Sequence, residues 1–190
     1  PLREADIPAA SALVRRVFAE FEAPDYAQEG IDVFHRFIAP ETLTEQFRTG
    51  ALKLWGAFRQ DTLAGVAAVR NRSHISLLFV DASFTGIACA LFNAVRDFCR
   101  TDPAVSRITV NSSPYAVEIY RRLGFTATDA ERVTDGIRFT PKHTYYNSGR
   151  SERPPDAGTM TNRSDPARGP TFIFGISAAY FAGATSGVSA

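Results

Sequence analysis

Residues 111–125 read NSSPYAVEIYRRLGF, which predicts the end of a strand, a short helix and the start of another strand. Ser112 or Ser113 can cap that helix, with Pro114 at its first position, and Gly124 stands where a left-handed residue ends a helix. Apolar side chains recur at helical spacing at Ala116, Ile119, Tyr120 and Leu123. A tyrosine on this apolar side can direct its hydroxyl into a cleft, where a phenol can give a proton to a leaving group.

Strands and a longer helix are predicted around this unit. The run ISLLFV at residues 75–80 is almost entirely apolar, which is typical of a strand buried on both faces. A helix is predicted from Ile87 to Cys99, and further strands at 108–110 and 136–140. Strand and helix therefore alternate through the middle of the chain.

The N-terminal third is predicted to be helical before the first strands begin. An amphipathic helix is expected at residues 7–21, with Asp6 as its N-cap and Pro8 just inside it. The remaining predicted elements are two helices, around 31–38 and at 41–49, and two strands, at 52–58 and 63–69.

Composition places the chain among ordinary globular proteins. It has 190 residues, 45% apolar and 22% charged, which predicts one folded domain at 1–143 and a tail at 144–190. The polar composition of residues 147–170 predicts disorder, and the apolar run at 171–182 is too short to span a membrane. A net charge of +1 gives no electrostatic reason to expect nucleic acid as a partner.

The two cysteines, Cys89 and Cys99, lie ten residues apart on one predicted helix. About 15 Å would separate their Cα atoms, which is too far for a disulfide. Free thiols and the lack of a recognisable signal peptide lead us to expect a reducing, cytoplasmic location. His35 and His143 have no partners at metal-ligand spacing, so no metal site is predicted.

The order of elements resembles the GNAT superfamily of N-acetyltransferases over roughly residues 3–141. Three segments carry the resemblance: 63–69, 74–92 and the 111–125 unit. Residues 63–69 are similar to the family's third strand. Residues 74–92 are similar to its acyl-CoA strand, phosphate loop and following helix, and residues 111–125 to the strand–helix element that carries its general acid. The resemblance implies an α/β (α+β) fold with a mixed, mostly antiparallel central sheet flanked by helices on both faces.

The resemblance also implies an activity, the transfer of an acetyl group from acetyl-CoA to a primary amine of a small molecule or peptide by direct attack. Gly86, Ile87 and Ala88, at a helix start, would bind the pyrophosphate of coenzyme A through backbone N–H groups. The strand residues Leu78, Phe79 and Val80 would pair their backbone with the pantetheine arm, and Asn111 would lie near it.

Four further residues receive roles by resemblance. Tyr120 would be the general acid that protonates the thiolate, although its alternative role is a core aromatic. His74 stands where some members carry the base, and its alternative is a polar residue at a strand end. Glu22 and Tyr26 correspond to residues that line the amine pocket, and could instead be a solvated carboxylate and a packing residue.

The loop before Gly86 departs from the family pattern. In one alignment, Ser83 stands where the family has Gln or Arg. In the other, which starts from Val80 and Asp81, the loop is about two residues short, without one glycine and one basic residue. We therefore expect weakened affinity for acetyl-CoA. The alternative function is a degenerate, non-catalytic acyl-CoA-binding or protein-interaction module of the same fold. Homodimers are common in the superfamily, so a homodimer is compatible with either function.

Overall fold

A computed structural model describes residues 1–84 and 86–145. The helices of this part of the chain are α1 Ile7–Phe21, α2 Gln28–Phe37, α3 Pro40–Arg48, α4 Ile87–Arg100 and α5 Val117–Arg122. Its strands are β1 Leu52–Arg59, β2 Thr62–Arg70, β3 His74–Val80, β4 Arg107–Ser112, β5 Thr126–Ala127, β6 Arg132–Thr134 and β7 Ile137–Tyr145. None of these helices is long and apolar enough to cross a lipid bilayer.

The strands form one sheet in the order β1-β2-β3-β4-β7-β5, with β6 paired to β7. Every pairing is antiparallel except that of β3 with β4. Helices cover both faces: α1, α2 and α3 pack on one (the α1 face), and α4 and α5 on the other (the α4 face). The predicted mixed, mostly antiparallel sheet between helices is confirmed.

Strands β3 and β4 pair at two positions in the described chain, His74 with Thr109 and Ile75 with Val110. Beyond them β3 continues beside β2, and β4 continues beside β7. The β2–β3 register shifts between Ala68 and Val69, so Ser76 is an extra residue in β3. Such a bulge bends the strand that carries it. The two central strands therefore separate toward their carboxyl ends, and we call the space between them the opening.

Side chains of β3 alternate between the two cores because successive strand residues point to opposite faces. Leu77 and Phe79 join the α1-face core with Phe18 of α1. Leu78 and Val80 join the α4-face core, together with Tyr120. The apolar run at 75–80 is buried on both faces, as predicted.

The predicted start of α5 is wrong, and the predicted cap of α1 is confirmed in position but not in its hydrogen bond. Helix α5 begins at Val117 rather than Pro114, because the preceding residues form a turn in which the Ala116 N–H donates to the Ser113 hydroxyl, 3.2 Å away. Asp6 stands at the N-cap position of α1 with Pro8 in the first turn, as predicted, but its side chain does not cap the helix, because its carboxylate accepts from the Arg3 N–H at 2.9 Å. Gly124 does adopt the predicted left-handed conformation, with φ of +86°.

The C-terminal strands differ most from the prediction. Strand β7 runs from Ile137 to Tyr145, beyond the expected end of strand and domain, and β5 and β6 were not predicted. The rest of the predicted tail, residues 146–190, lies outside the described residues. Cys89 and Cys99, both on α4, are free thiols.

Candidate functional site

The N-terminus of α4 lies beside the carboxyl end of β3, at one side of the opening. Gly86 caps it with φ of +79°, a conformation that favours glycine. A Cβ atom on Gly65 of β2 would lie 2.8 Å from Ile87 Cγ2 and 2.9 Å from Leu91 Cδ1. Glycine in β2 thus lets the first turns of α4 pack directly on the sheet. The first N–H groups of a helix have no partner within it and can bind an anion.

The loop between β3 and α4 is anchored at Asp81. One carboxylate oxygen accepts from the Ser83 N–H at 2.9 Å, and the other lies 2.5 Å from Arg16 Nη2. The Ser83 N–H, followed by the Arg16 guanidinium, holds the pKa of Asp81 below its ordinary value. Arg16 keeps 55% of its side chain exposed.

Tyr120 and Glu22 interact electrostatically although their helices cover opposite faces of the sheet. Tyr120, on α5, belongs to the α4-face core, and Glu22 follows the last residue of α1. Both residues are 0% exposed. Burial, followed by the nearby Glu22 carboxylate, raises the pKa of the Tyr120 phenol above its ordinary value. Because β3 and β4 separate, we infer that the two side chains approach each other through the opening.

Tyr26 lies in the same electrostatic environment. Its hydroxyl donates to the Arg138 carbonyl oxygen at 3.1 Å, and its ring centroid lies 5.9 Å from that of Phe18. Burial, and next the Glu22 carboxylate, raises the pKa of its phenol. One buried carboxylate therefore acts on two tyrosines. The sequence singled out all three residues, and the structure brings them together.

His74 and Asn111 lie at the closed end of the opening. His74 belongs to the first of the two β3–β4 pairs, and its Nδ1 atom lies 2.8 Å from Thr109 Oγ1. Burial, followed by the Arg70 guanidinium, lowers the pKa of His74 to about 3, so its imidazole is neutral at physiological pH. Asn111 is buried one residue past the last paired residue of β4. Both residues line a cavity of about 320 Å³.

The predicted pantetheine-binding residues form the β3 wall of the opening. Leu78, Phe79 and Val80 are almost completely buried and pair with β2 on their other side. At the bulge, Ser76 is 0% exposed, and its hydroxyl has no hydrogen-bond partner among the described residues. The sequence did not single out Ser76, because a bulge depends on the register with a neighbouring strand.

No group of three or more His, Cys, Asp or Glu side chains in residues 1–84 and 86–145 is arranged to hold a metal ion. The described site instead offers a helix N-terminus, two buried tyrosines and a buried carboxylate. These are the elements of anion binding and proton transfer.

Comparison with known proteins agrees with this arrangement. A family model described as an acetyltransferase (GNAT) domain matches residues 22–144. No match was found among curated protein sequences.

Solved structures share the fold at low sequence identity. A GCN5-related N-acetyltransferase from Rhodopseudomonas palustris superposes with a TM-score of 0.65 at 18% identity, over 77% of this chain and 93% of that one. The PaiA N-acetyltransferase from Thermoplasma acidophilum, in complex with coenzyme A, gives 0.62 at 19% identity, over 76% and 96%. A ribosomal-protein-alanine N-acetyltransferase from Brucella melitensis gives 0.53 at 17% identity, over 76% and 97%.

Proposed function

This chain belongs to the GNAT acetyltransferase family, and we propose that it transfers the acetyl group of acetyl-CoA to a primary amine. The observation that carries the proposal is the opening between β3 and β4, with the Gly86-capped helix at one side and the Glu22–Tyr120 interaction across it. This arrangement supports the proposal, because a helix end is suited to anion binding and the two side chains are suited to proton transfer.

Acetyl-CoA would lie along the opening. Its pyrophosphate would bind the backbone N–H groups of Gly86, Ile87 and Ala88, and its arm would extend along Leu78–Val80 toward Asn111. Arg16 would add the positive charge that the loop itself lacks. PaiA, which shares the fold, was crystallised with coenzyme A, and this supports the choice of donor.

In the reaction the acceptor ammonium loses a proton, and the amine nitrogen attacks the acetyl carbonyl carbon. A C–N bond forms, the C–S bond breaks, and the departing thiolate takes a proton. Tyr120 would give that proton, since its raised pKa keeps the phenol protonated at neutral pH. The same raised pKa makes a phenolate beside Glu22 costly, so Tyr120 must regain its proton from the substituted nitrogen as the intermediate collapses.

Glu22 is our proposed base for the acceptor ammonium. A carboxylate attracts an ammonium group and can accept its proton directly or through water. Tyr26 would form the neighbouring wall, since the same carboxylate acts on its phenol. The family resemblance suggests His74 as the base instead. That role stays a prediction, and it would require a base whose conjugate acid has a pKa of about 3.

One observation favours a second function. Glu22, Tyr120 and the Leu78–Val80 wall are almost completely shielded from solvent, so substrates need the opening to widen before they reach them. If substrates do not reach these side chains, no acetyl transfer takes place there. The same fold would then serve as a non-catalytic acyl-CoA-binding or protein-interaction module. The two functions differ in turnover rather than in fold.

Two measurements separate these functions. Thiol release from acetyl-CoA is followed with a panel of small amines and peptides, and acetyl-CoA binding is measured by isothermal titration. Turnover with at least one amine is expected, together with affinity below that of a homologue with a complete phosphate loop. Binding without turnover over the whole panel would favour the module, and the absence of both would refute the proposal.

A further inference from the structure

A row of polar residues crosses the sheet at the closed end of the opening. Strand pairing aligns Arg70 with His74, His74 with Thr109, Thr109 with His143, and His143 with Thr126. Residues directly opposite one another on paired strands share a face. The row therefore runs over β2, β3, β4, β7 and β5 on the α1 face, and we call it the polar row.

The neighbouring row is apolar. Val69 pairs with Ile75, and Ile75 with Val110, and all three belong to the α4-face core. A polar row in the middle of a sheet needs an explanation, because burying polar groups costs free energy unless they find partners. Arg70 is only 8% exposed.

The cavity of about 320 Å³ lies over the polar row. His74, Thr109 and His143 line it, together with Arg107 and Asn111 on the same face of β4. Its volume is that of a small-molecule site. The cavity thus combines the polar row with a separate arginine.

Within the described part of the chain, only some of the polar groups of this cavity have partners. The Nδ1 atom of His143 is buried and has no hydrogen-bond partner within residues 1–84 and 86–145. Arg107 is exposed and forms no ion pair there. Lys142 also lines the cavity, but its ammonium donates to the Val117 carbonyl oxygen at 3.2 Å.

The charges around the cavity have one sign. Arg107 lines it, the Arg70 guanidinium adjoins His74, and none of its lining residues within 1–84 and 86–145 is acidic. An arginine that is not paired to a protein carboxylate is suited to bind a carboxylate of a ligand, because its planar fork donates two hydrogen bonds to the two oxygens. The cavity therefore suits a small anionic group.

We propose that this cavity binds the carboxylate of the acceptor, and that the acceptor is a free amino acid. The inference rests on the proposed function. Asn111 lines the cavity and is also the first residue of β4 past the closed end, so a ligand held there reaches the opening within about 7 Å, two residues of strand. The amino nitrogen would be acetylated, with C–N formation and C–S cleavage as above, and the carboxylate would remain unchanged.

The kinetic test compares free amino acids with the matching amino amides. In the wild type, kcat/KM is expected to be at least about tenfold higher for the amino acids than for the amides. This ratio corresponds to the contribution of one charge-assisted hydrogen bond. Arg107→Gln should remove this preference mainly through KM and leave the amides unchanged. Arg59→Gln, which removes an exposed charge on edge strand β1, should keep it.

A binding measurement separates this inference from the proposed function. N-acetyl amino acids and their amides are titrated against the protein, and the His143 imidazole resonances are followed by NMR. Shifts with the acid alone, lost in Arg107→Gln, would support the cavity even without turnover. Equal turnover of acids and amides, or preference for phosphoethanolamine over amino acids, would overturn the inference while the acetyltransferase activity stands.

Discussion

The carboxylate of Glu22 raises the pKa of the Tyr120 phenol from the opposite side of the central sheet. Helix α1 carries Glu22 at its C-terminal end, and α5 carries Tyr120. A continuous sheet would separate the two helices, so their interaction depends on the lost pairing between β3 and β4. The Ser76 bulge is the local cause of that separation.

Tyr120→Phe should slow acetyl transfer by about 100-fold or more, because it would remove the proposed proton donor to the thiolate. The ring would keep its edge contact with Phe125, at 5.2 Å between centroids. Stability should therefore fall by only about 1 kcal/mol, the range of one hydrogen bond. Thiol-release kinetics and urea unfolding measure the two effects. Tyr115→Phe is the matched control, and equal rates for wild type and Tyr120→Phe would remove Tyr120 from the mechanism.

Glu22→Gln should reduce the loss of stability at alkaline pH. The pKa of Tyr120 is raised in the native state, so its contribution to stability is complete below pH 10.0 and falls as the pH rises above it, where the unfolded chain ionises. Without the carboxylate, the native pKa values of Tyr120 and Tyr26 move back toward the ordinary value. The fall in stability should then end at a lower pH than in the wild type.

Urea midpoints between about pH 8 and about pH 11 measure this change. Asp25→Asn is a suitable control, because the Asp25 carboxylate also raises the pKa of Tyr26 but is not among the causes at Tyr120. The same pH dependence in wild type and Glu22→Gln would show that the carboxylate does not act on the phenols.

His74→Gln should flatten the acid side of the stability profile. The native pKa of His74 is lowered from 6.5 to about 3, so its contribution to stability is complete above pH 6.5 and is lost as the pH falls toward 3. The same values predict that His74 produces no limb in the rate profile between about pH 5 and about pH 8. A limb in that range that disappears in His74→Gln would restore His74 as the base.

Arg16→Gln should weaken acetyl-CoA binding several-fold, since the loop before α4 loses both a cation and its tie to α1. The change in unfolding free energy should stay within about 1 kcal/mol, because the Arg16 side chain is more than half exposed. Arg48→Gln breaks a comparable surface pair with Glu4, at 2.6 Å, and is the control. Equal acetyl-CoA affinity in both variants would show that Arg16 does not serve the loop.

The features predicted correctly are those that depend on residues close together in the sequence. The apolar run at 75–80 and the left-handed Gly124 are local signals, and both are confirmed. A local signal predicted the N-cap position of Asp6 but not the partner of its side chain, which accepts from the Arg3 N–H instead of from an N–H group of α1. Strands β5 and β6 have two and three residues, too few for an alternating pattern to be visible.

The arrangement of the site could not be predicted, because it depends on contacts between distant residues. Arg16 and Asp81 are 65 positions apart, and no local pattern around either residue predicts the ion pair between them. The polar row is spread over five strands, with one residue in each. Glu22 and Tyr120 were identified singly, and only the separation of β3 and β4 explains why they interact.

The two residue pairs between β3 and β4 also lie at a boundary, which we call the seam, between two consecutive parts of the chain. Everything on one side of the seam, α1 to α4 and β1 to β3, comes from residues 1–100, and β4 to β7 with α5 come from residues 107–145. The two consecutive halves share this short ladder, both apolar cores and the hydrogen bond from the Tyr26 hydroxyl to the Arg138 carbonyl oxygen. Acetyl-CoA bound in the opening would contact both halves and stabilise their association.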